Sequence, residues 1–359
     1  MQSPVNEPVE DVFLVAPDFS SAQIMGLNVG IRPFRTSGVR LQAEYLSDKL
    51  IIHNYGYGGS GLSLCWGGSQ EAMGILRQEQ NNHPELSRPD AIAVLGAGII
   101  GITTAYDLLA QGCRVNIYAD AFSPHLTSNV AAGIFSAPTV RADMSAVQSE
   151  LLNHLFAISS QRFLAMAQSE RPELSGVKFI TDYHFEAESA SELKSEKFKK
   201  TQMRKKRVRV HFNNGLIKAG IQTRELGIDG KIFIEDLYAR LLSRGVLFHQ
   251  RKFESVRDIS GLNEKIIFNC TSMGSKILFN DTSFRPVRGH LIYFKPQPGI
   301  DYSLYHSLPG ETDYWVKLYP WRDRLILGGV FEHGKDEAVI DPLVIERLLE
   351  NARVCFNRI

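Results

Sequence analysis

The pattern of apolar and polar residues predicts a strand, a helix and a second strand in succession. Residues 91–95 form an apolar run of strand length, and apolar side chains then recur at helical spacing over residues 99–111, until Gly112 supplies a stop. Residues 114–118 alternate as a second strand. This order of elements is typical of the start of an α/β nucleotide-binding domain.

A hairpin and a glycine-rich loop are predicted ahead of that unit. Residues 38–45 and 49–54 are strand-like and flank a turn at residues 47–48. The second strand leads into residues 56–61, where four of six positions are glycine, and a helix is predicted over residues 62–77. A loop of this kind before a helix presents backbone N–H groups to an anion or a carbonyl.

The pattern is less regular in the rest of the chain. Residues 1–20 are polar or mixed and are expected at the surface, and residues 78–90 have the polar, proline-containing composition of a linker. A helix is predicted over residues 145–168 and a strand over residues 291–294. Period-two alternation over residues 313–319 assigns the odd positions to one face and the even positions to the other.

Three glycines mark the turn between the first strand and its helix. Gly96 permits a tight turn, Gly98 lets a pyrophosphate approach the backbone, and Gly101 lets the helix close on the strand. Asp120 ends the second strand, where a carboxylate accepts ribose hydroxyls and disfavours a 2′-phosphate. In this setting the glycines predict a dinucleotide site.

Composition and charge set only the outer bounds. The chain has 359 residues, of which 44% are hydrophobic and 22% charged, and this is typical of a globular protein of two lobes. A formal net charge of +1 gives no global attraction to nucleic acid or anionic lipid. The sequence contains no signal-like segment and no apolar run of membrane-spanning length, so a cytoplasmic protein is expected. The four cysteines lack metal-ligand spacing, and no metal site is predicted.

Several short motifs are spread along the chain: Arg32-Pro33, Ile52-His53-Asn54-Tyr55-Gly56, Tyr118-Ala119-Asp120, Asn129-Val130-Ala131-Ala132-Gly133 and Leu327-Gly328-Gly329-Val330-Phe331. Together they resemble the motifs of the D-amino-acid oxidase family. Residues 91–133 are similar to the N-terminal FAD-binding region of that family, and residues 30–75 to its C-terminal region. Residues 229–252 and 269–271 resemble the family's middle, and residues 327–331 resemble its late strand. One departure is Ser272, where the resemblance implies glycine.

The family's C-terminal region therefore stands at the start of this chain. A circular permutation explains that order, with residues 78–90 as a new linker and new ends between a helix near residues 342–352 and the segment of Arg32. A tandem fusion, or a chain completed by its neighbour in a dimer, is the alternative.

The resemblance implies a doubly wound, Rossmann-type α/β FAD-binding domain and a second, mixed-sheet α+β substrate domain. The expected boundaries are the moved segment at 21–77, the linker at 78–90, the FAD-binding domain at 91–180 and 235–285, and the substrate domain at 181–234 and 286–345.

FAD is the cofactor that the resemblance implies, and three groups of residues match its binding site. The adenosine diphosphate half is assigned to Gly96, Ala97, Gly98, Ile99, Ile100, Gly101 and Asp120. The pyrophosphate and the flavin ring are lined by Thr127, Ser128, Ala132, Gly133 and Ile134. The positions beneath the isoalloxazine are Gly58, Gly61, Leu62 and Ser63, where a helix N-terminus stabilises an anion.

The resemblance also implies a substrate site. The guanidinium of Arg32 pairs with the carboxylate of an amino acid, and the carbonyl of Gly59 accepts a hydrogen bond from its amine. The family's pair of tyrosines falls on Asp313 and Lys317, and a shift of one residue would restore Tyr314. A Lys317 that faces the pocket would favour an acidic substrate, whereas a solvated Lys317 would carry no information.

The expected activity is oxidative deamination of an amino acid, by hydride transfer from the α-carbon to flavin N5 with O₂ as acceptor. A glycine or secondary-amine oxidase or dehydrogenase on the same fold, and a non-catalytic FAD-binding protein, are the alternatives. A homodimer is compatible with the sequence, and neither nucleic acid nor a membrane is expected as partner. The basic stretch 194–209 is interpreted as a solvated face, and His53 and His290 as structural.

Overall fold

The computed structural model describes residues 9–87, 89–133, 135–136, 145–185 and 205–356. The strands within these ranges are β1 (Glu10–Leu14), β2 (Ile24–Arg32), β3 (Arg40–Leu46), β4 (Lys49–Tyr55), β5 (Ile92–Leu95), β6 (Val115–Ala119), β7 (Val177–Phe185), β8 (Lys206–Phe212), β9 (Ile217–Ile228), β10 (Leu247–Gln250), β11 (Ile266–Asn269), β12 (Val287–Phe294), β13 (Ser303–Ser307), β14 (Tyr314–Pro320), β15 (Leu325–Val330) and β16 (Glu332–His333). The α-helices are α1 (Gly61–Asn82), α2 (Ile99–Ala110), α3 (Thr127–Val130), α4 (Ala146–Gln168), α5 (Gly230–Ser243), α6 (Val256–Ser260), α7 (Ser275–Leu278) and α8 (Pro342–Phe356).

A six-stranded sheet contains the strand–helix–strand unit that the sequence predicts. Its strand order is β10-β6-β5-β11-β4-β3, and every neighbouring pair is parallel except β3 with β4. All residues of β4, β5 and β11 are buried, because α1, α2 and α5 cover one face and α6 covers the other. The predicted strands, helix and hairpin are confirmed, and so is the doubly wound α/β class.

A second, mixed sheet has ten strands. Its order is β1-β8-β9-β7-β13-β14-β15-β12-β16, and β2 pairs antiparallel with β12. One face packs against α8 in a core that includes Phe294, Leu318 and Phe356. The other face carries a smaller apolar cluster, to which Val130 and Ala132 of the first unit also belong. This second face is therefore turned toward the segment that follows α3.

The first ninety residues contribute to both sheets. β1 and β2 belong to the mixed sheet, whereas β3 and β4 complete the parallel sheet and α1 covers it. β4 lies parallel to β11, whose residues are more than two hundred positions away in the sequence. The N-terminal part of the chain is thus built into both lobes.

Two expectations differ from the structure. α1 continues to Asn82, five residues into the predicted linker, and ends there because Pro84 disfavours a helical backbone at His83, whose φ is −131°. Within residues 1–20, expected only to lie at the surface, residues 10–14 form an edge strand on β8, and Phe19 is buried beside Phe356. Both differences depend on partners that are distant in the sequence.

None of the helices in the described ranges is long and apolar enough to cross a lipid bilayer.

Candidate functional site

The turn between β5 and α2 leaves one glycine open to a ligand. A Cβ atom on Gly96, whose φ is +98°, would lie 2.5 Å from the carbonyl oxygen of Cys270, and one on Gly101 would overlap the carbonyl oxygen of Gly96. A Cβ on Gly98 would meet only Ser128 Oγ, at 3.3 Å. Packing of the protein itself therefore requires Gly96 and Gly101, whereas Gly98 keeps a space clear at the N-terminus of α2.

The second glycine-rich turn meets the first. A Cβ on Gly61 would lie 3.7 Å from Cγ2 of Ile99, so the N-termini of α1 and α2 converge. Gly58 has a φ of +57° and packs against the ring of Phe34. Leu62 is buried in the first turn of α1. Two helix N-termini at one point combine free N–H groups and partial positive charge, which suits an anionic cofactor.

The segment after β6 closes the same space. Ser128 Oγ accepts a hydrogen bond of 3.0 Å from the backbone N–H of Ile99, and Thr127 lies beside Gly30 of β2. The carbonyl of Ala132 accepts from Trp321 Nε1 at 3.0 Å, and Gly133 has a φ of +96°. The predicted pyrophosphate and flavin positions are thus brought together with α2, except that Ile134 lies outside the described residues.

The remaining predicted cofactor residues lie in or beside the first turns of α1 and α2 and at the end of β6. The carbonyl of Ala97 accepts a hydrogen bond of 2.8 Å from the hydroxyl of Tyr238, and Ile100 is half-buried in α2. Ser63 Oγ accepts from the N–H of Ser136 at 3.3 Å. Asp120 is exposed at the carboxyl end of β6, where the sequence places a ribose-binding carboxylate.

Ser272, where the resemblance implies glycine, has a left-handed backbone conformation. Its φ is +53°, in the left-handed region that side chains other than glycine rarely adopt. Glycine adopts this conformation without strain, so the backbone at this position favours the residue that the resemblance implies.

Arg32 lies at the end of β2 against backbone carbonyls. Its Nη1 donates to the carbonyl of Val330 at 3.1 Å and to that of Arg288 at 3.4 Å, and its guanidinium stacks over the ring of Phe331 at 4.7 Å. Burial lowers the pKa of Arg32 to about 10. The hydrogen-bond partners seen for this side chain among the described residues carry no formal charge, so its positive charge is available to a carboxylate.

Gly59 lies next to Arg32 and joins it to the second glycine-rich turn. A Cβ on Gly59 would lie 3.2 Å from Cδ of Arg32. The structure therefore brings the predicted carboxylate-binding group close to the loop that is predicted to lie beneath the flavin.

Tyr314 is the predicted site residue that the structure places elsewhere. Its ring packs against the core beneath α8, and the guanidinium of Arg347 in α8 lies 3.8 Å from the ring centroid. An irregularity in the pairing of β14 with β15 between Tyr314 and Lys317 interrupts the predicted period-two alternation. Asp313 lies at the exposed end of the strand, where its carboxylate is 3.5 Å from His333. The structure thus does not restore the tyrosine pair through Tyr314.

Lys317 is neither solvated nor a free cation in the pocket. Its Nζ lies 2.7 Å from both carboxylate oxygens of Asp182, which is fully buried. His184 Nε2 lies 2.6 Å from Asp182 Oδ2 and 3.4 Å from Glu225 Oε1. We refer to Asp182, His184, Glu225 and Lys317 as the charge cluster. Neither of the two situations that the sequence suggested for Lys317 describes this arrangement.

Electrostatics within the charge cluster favour the ionised forms of Asp182 and His184. Burial by itself would raise the pKa of Asp182, but Lys317 and His184 outweigh it and hold that pKa well below its ordinary value. For His184 burial has the opposite effect and by itself would lower the pKa, but hydrogen bonds to Asp182 and Glu225 raise that pKa above its ordinary value. The ligand atoms of Asp182, His184 and Glu225 are close enough to hold a metal ion, within 4.8 Å of one another. The Lys317 ammonium already neutralises Asp182 at that point.

Loss of the Asp182 carboxylate is expected to destabilise the protein in a pH-dependent way. Asp182→Asn leaves Lys317 buried without its partner, which costs about 3–5 kcal/mol in the free energy of unfolding at pH 7. A carboxyl with a lowered pKa in the folded state stabilises the fold above its unfolded pKa of about 3.9, and this contribution is lost as the pH falls below that value.

Urea unfolding at pH 7 and near pH 3 measures the effect, and the difference between wild type and Asp182→Asn should shrink at the lower pH. Asp48→Asn, in an exposed pair with Lys265, is the matched control and should change stability little. A wild-type-like Asp182→Asn at pH 7 would contradict the role assigned to the pair.

Sequence reasoning missed Gly289 and Tyr319. A Cβ on Gly289 would overlap the guanidinium of Arg32, so the absence of a side chain there makes room for it. Burial raises the pKa of the Tyr319 hydroxyl, the charges of Asp182 and Glu225 raise it further, and Arg32 opposes them. The Nζ atom of Lys317 lies 5.6 Å from the centroid of the Tyr319 ring, so Tyr319 adjoins the charge cluster. A glycine inside a strand often marks the close approach of another group, and this signal could have identified Gly289.

Gly289→Ala is expected to displace Arg32 without unfolding the protein. The added methyl group overlaps the guanidinium, so binding of carboxylates weakens at least tenfold while FAD stays bound. Carboxylate affinity by calorimetry and the flavin spectrum measure the two effects. Gly26→Ala in β2, where a Cβ meets nothing within 4 Å, is the control. Equal carboxylate affinity in the two variants would show that Gly289 does not position Arg32.

The other singled-out residues have structural partners. Both ring nitrogens of His53 have side-chain partners, Glu44 at 2.9 Å and Asn269 at 3.0 Å, and His290 contacts Glu332 and the backbone N–H of Asp341. Of the basic stretch 194–209, only residues 205–209 are described. Lys206 pairs there with Glu10 on the neighbouring strand.

Comparison with known proteins identifies relatives of this arrangement. A family model described as FAD dependent oxidoreductase, DAO, matches residues 91–359. The D-amino-acid oxidase of Streptomyces coelicolor is 28% identical over 264 residues, covering 72% of this chain and 75% of that enzyme. The D-aspartate oxidase of Homo sapiens is 26% identical over 258 residues, covering 68% of this chain and 69% of that enzyme.

Solved structures show the same fold. The glycine oxidase of Bacillus cereus superposes with a TM-score of 0.54 at 16% identity, covering 74% of this chain and 79% of that one. The glycine oxidase of Geobacillus kaustophilus gives a TM-score of 0.53, also at 16% identity, covering 74% and 77%.

Proposed function

The chain belongs to the DAO family of FAD-dependent oxidoreductases, and from that membership we propose that it oxidises an amino acid at the α-carbon, as a D-amino-acid oxidase does. FAD is the cofactor of this family. The observation that carries the proposal is the guanidinium of Arg32, which has only carbonyl partners among the described residues and lies beside Gly59 of the second glycine-rich turn. A planar cation in that position suits the carboxylate of an amino acid.

The residues present fit FAD. The space kept clear above Gly98 and the converging N-termini of α1 and α2 suit a pyrophosphate. Asp120 at the end of β6 suits the ribose hydroxyls. Ser63 and Leu62 in the first turn of α1 lie where a helix N-terminus would stabilise negative charge on the flavin.

The chain's own residues would bind and orient the substrate. FAD, when bound, supplies the acceptor for the hydride that leaves the α-carbon. Arg32 holds the carboxylate through two parallel hydrogen bonds, and the carbonyl of Gly59 accepts a hydrogen bond from the amine, which fixes the direction of the Cα–H bond. The ring of Phe331, whose centroid lies 4.7 Å from Cζ of Arg32, covers one face of the guanidinium and shields that face from water. The amine also releases a proton to solvent, which leaves an imino acid whose hydrolysis yields the oxo acid and ammonia. O₂ is the proposed final acceptor and would be reduced to hydrogen peroxide.

A glycine or secondary-amine oxidase is the second candidate. An arginine that binds an α-carboxylate does not by itself select a side chain. Tyr314 packs against Arg347 and so does not supply one of the two tyrosines that the resemblance implies. The two candidates share FAD and Arg32 and differ only in substrate.

The test is the visible spectrum of the purified flavoprotein under anaerobic conditions, as D-amino acids, L-amino acids, glycine and a secondary amine are added in turn. Bleaching by a D-amino acid that reverses on admission of air supports the proposal. Bleaching by glycine or the secondary amine alone supports the second candidate. Bound flavin that no amine reduces contradicts both and favours a non-catalytic flavoprotein.

The order of the segments supports a circular permutation of the family's chain. The match to the family begins only at residue 91, yet β4 and Arg32 from the first ninety residues complete the sheet and the site. Arg353 in α8 donates to the carbonyl of Phe19 at 3.0 Å and 3.1 Å, so the end of α8 lies beside the segment that leads into β2.

A variant with the family's segment order tests the predicted permutation. Its chain would begin at residue 90, run to residue 356, continue through a short linker into residue 19 and end at residue 82. It is expected to fold and to bind FAD. Failure of that chain to bind FAD, with wild type binding normally, would contradict the permutation.

A further inference from the structure

A cavity of about 320 Å³ lies at one end of the mixed sheet. It is lined by the start of β7, the loop between β12 and β13 and the turn between β14 and β15. Leu325, the first residue of β15, lines this cavity, whereas Arg32 contacts the carbonyl of Val330, the last residue of the same strand. The length of β15 separates the two places by about 16 Å. The cavity is therefore distinct from the substrate site proposed at Arg32.

One wall of the cavity carries a half-buried lysine. Lys178, the second residue of β7, donates a hydrogen bond of 3.3 Å to the carbonyl of Pro320, and its Nζ lies 5.3 Å from the centroid of the Trp321 ring. Burial lowers the pKa of Lys178, and the charges of Asp229 and Asp301 oppose that effect. Neither carboxylate forms an ion pair with Lys178 in the part of the chain that the structure describes. An ammonium in this position is costly unless a ligand supplies negative charge.

The two carboxylates are not available to neutralise Lys178. Asp229 accepts a hydrogen bond of 2.8 Å from Nη2 of Arg324, which neutralises it. Asp301 is exposed at the rim of the cavity, as is Arg322, so these two side chains are opposite in charge and screened by solvent. The charge that decides which ligand the cavity accepts is therefore that of Lys178.

The rest of the wall offers mainly apolar surface. It is formed by Pro296, Ile300, Pro320, Trp321 and Leu325. The amide of Gln297 also lines the cavity, but its nitrogen donates to the carbonyl of Asp18 and its oxygen accepts from the N–H of Asp18, both at 2.8 Å. An ammonium has three N–H donors, and Lys178 uses one of them on Pro320. Lys178 is thus the polar group that would hold a ligand.

We propose that this cavity is a second binding site, which takes a small organic monoanion with an apolar body. The acidic group accepts hydrogen bonds from the ammonium of Lys178 and offsets the cost of burying it, and the apolar body lies against the proline, isoleucine and leucine side chains. The volume is at the lower end of those that hold small molecules, so the ligand is compact. This inference does not depend on the oxidase activity, because neither FAD nor Arg32 contributes to the cavity.

A pair of ligands that differ in charge but hardly in shape tests the proposal. Benzenesulfonate is an anion at pH 7, whereas benzenesulfonamide is neutral. Titration calorimetry on the FAD-loaded protein should show that benzenesulfonate binds about tenfold more tightly or better, because its hydrogen bonds to an ammonium are charge-assisted. Lys178→Met keeps the length of the side chain and removes its charge, and it should reduce the difference to about twofold.

Controls separate this cavity from the substrate site. Arg32 is a second group able to bind a sulfonate, so Arg32→Ala should retain the tenfold difference. Lys231→Met, which removes an exposed lysine outside the cavity, should retain it as well. Equal binding of the two ligands by wild type overturns the inference, whether or not Lys178→Met folds. So does a difference that is lost in Arg32→Ala, or one that falls equally in Lys178→Met and Lys231→Met.

Discussion

Arg32→Ala is expected to lower kcat/KM for amino acids about a hundredfold to ten-thousandfold, with FAD still bound. Two hydrogen bonds from a guanidinium to a carboxylate contribute about 1.5–3 kcal/mol each, and the alanine variant loses both. The loss should appear mainly as a raised KM, because the carboxylate is held in the ground state as well as in the transition state. Rapid-mixing measurements of flavin bleaching over a range of substrate concentrations give the two constants separately.

Two further variants interpret that result. Arg32→Lys keeps the charge but cannot form two parallel hydrogen bonds, so its kcat/KM should fall between those of wild type and the alanine variant. Arg322→Ala removes an exposed arginine and should behave as wild type. Loss of FAD from Arg32→Ala would show that Arg32 supports the fold, and an unchanged KM would remove it from the substrate site.

Gly98→Val is expected to abolish FAD binding while the apoprotein remains folded. Gly98 has a φ of −70° and a ψ of 177°, which valine adopts readily, and a Cβ there would meet only Ser128 Oγ at 3.3 Å. The valine side chain would instead fill the space kept for the pyrophosphate, and binding should weaken at least a hundredfold. Flavin content after purification and FAD titration of the apoprotein measure the effect.

Gly101→Val is the contrasting variant, because a Cβ there would overlap the carbonyl oxygen of Gly96. It is expected to destabilise the apoprotein itself, which thermal unfolding without FAD would detect. Retention of FAD by Gly98→Val would place the pyrophosphate away from this turn. Equal destabilisation of both apoproteins would mean that Gly98 serves packing rather than the cofactor.

The local pattern of apolar residues and glycines in the sequence predicts most elements of the nucleotide-binding lobe. The apolar run of β5, the helical spacing of α2 and the glycines between them predict the turn because each depends on neighbours within a few residues. The hairpin of β3 and β4 is predicted for the same reason, and Ser47 at its turn has a φ of +55°. The motif around Arg32 identified a carboxylate-binding candidate only through its resemblance to a family, since an isolated arginine has no preferred partner.

Only the tertiary structure decided what faces the substrate space. Lys317 was ambiguous in the sequence because its partner, Asp182, lies on β7, which is separated from β14 by β13 in the sheet. Tyr314 packs toward α8 because the pairing of β14 with β15 is irregular, a feature that alternation cannot reveal. The sequence by itself thus determined the elements and motifs that local interactions specify. The side-chain partners of Arg32, Lys317 and Glu225 depend on strands brought together from distant parts of the chain, and these only the folded structure could decide.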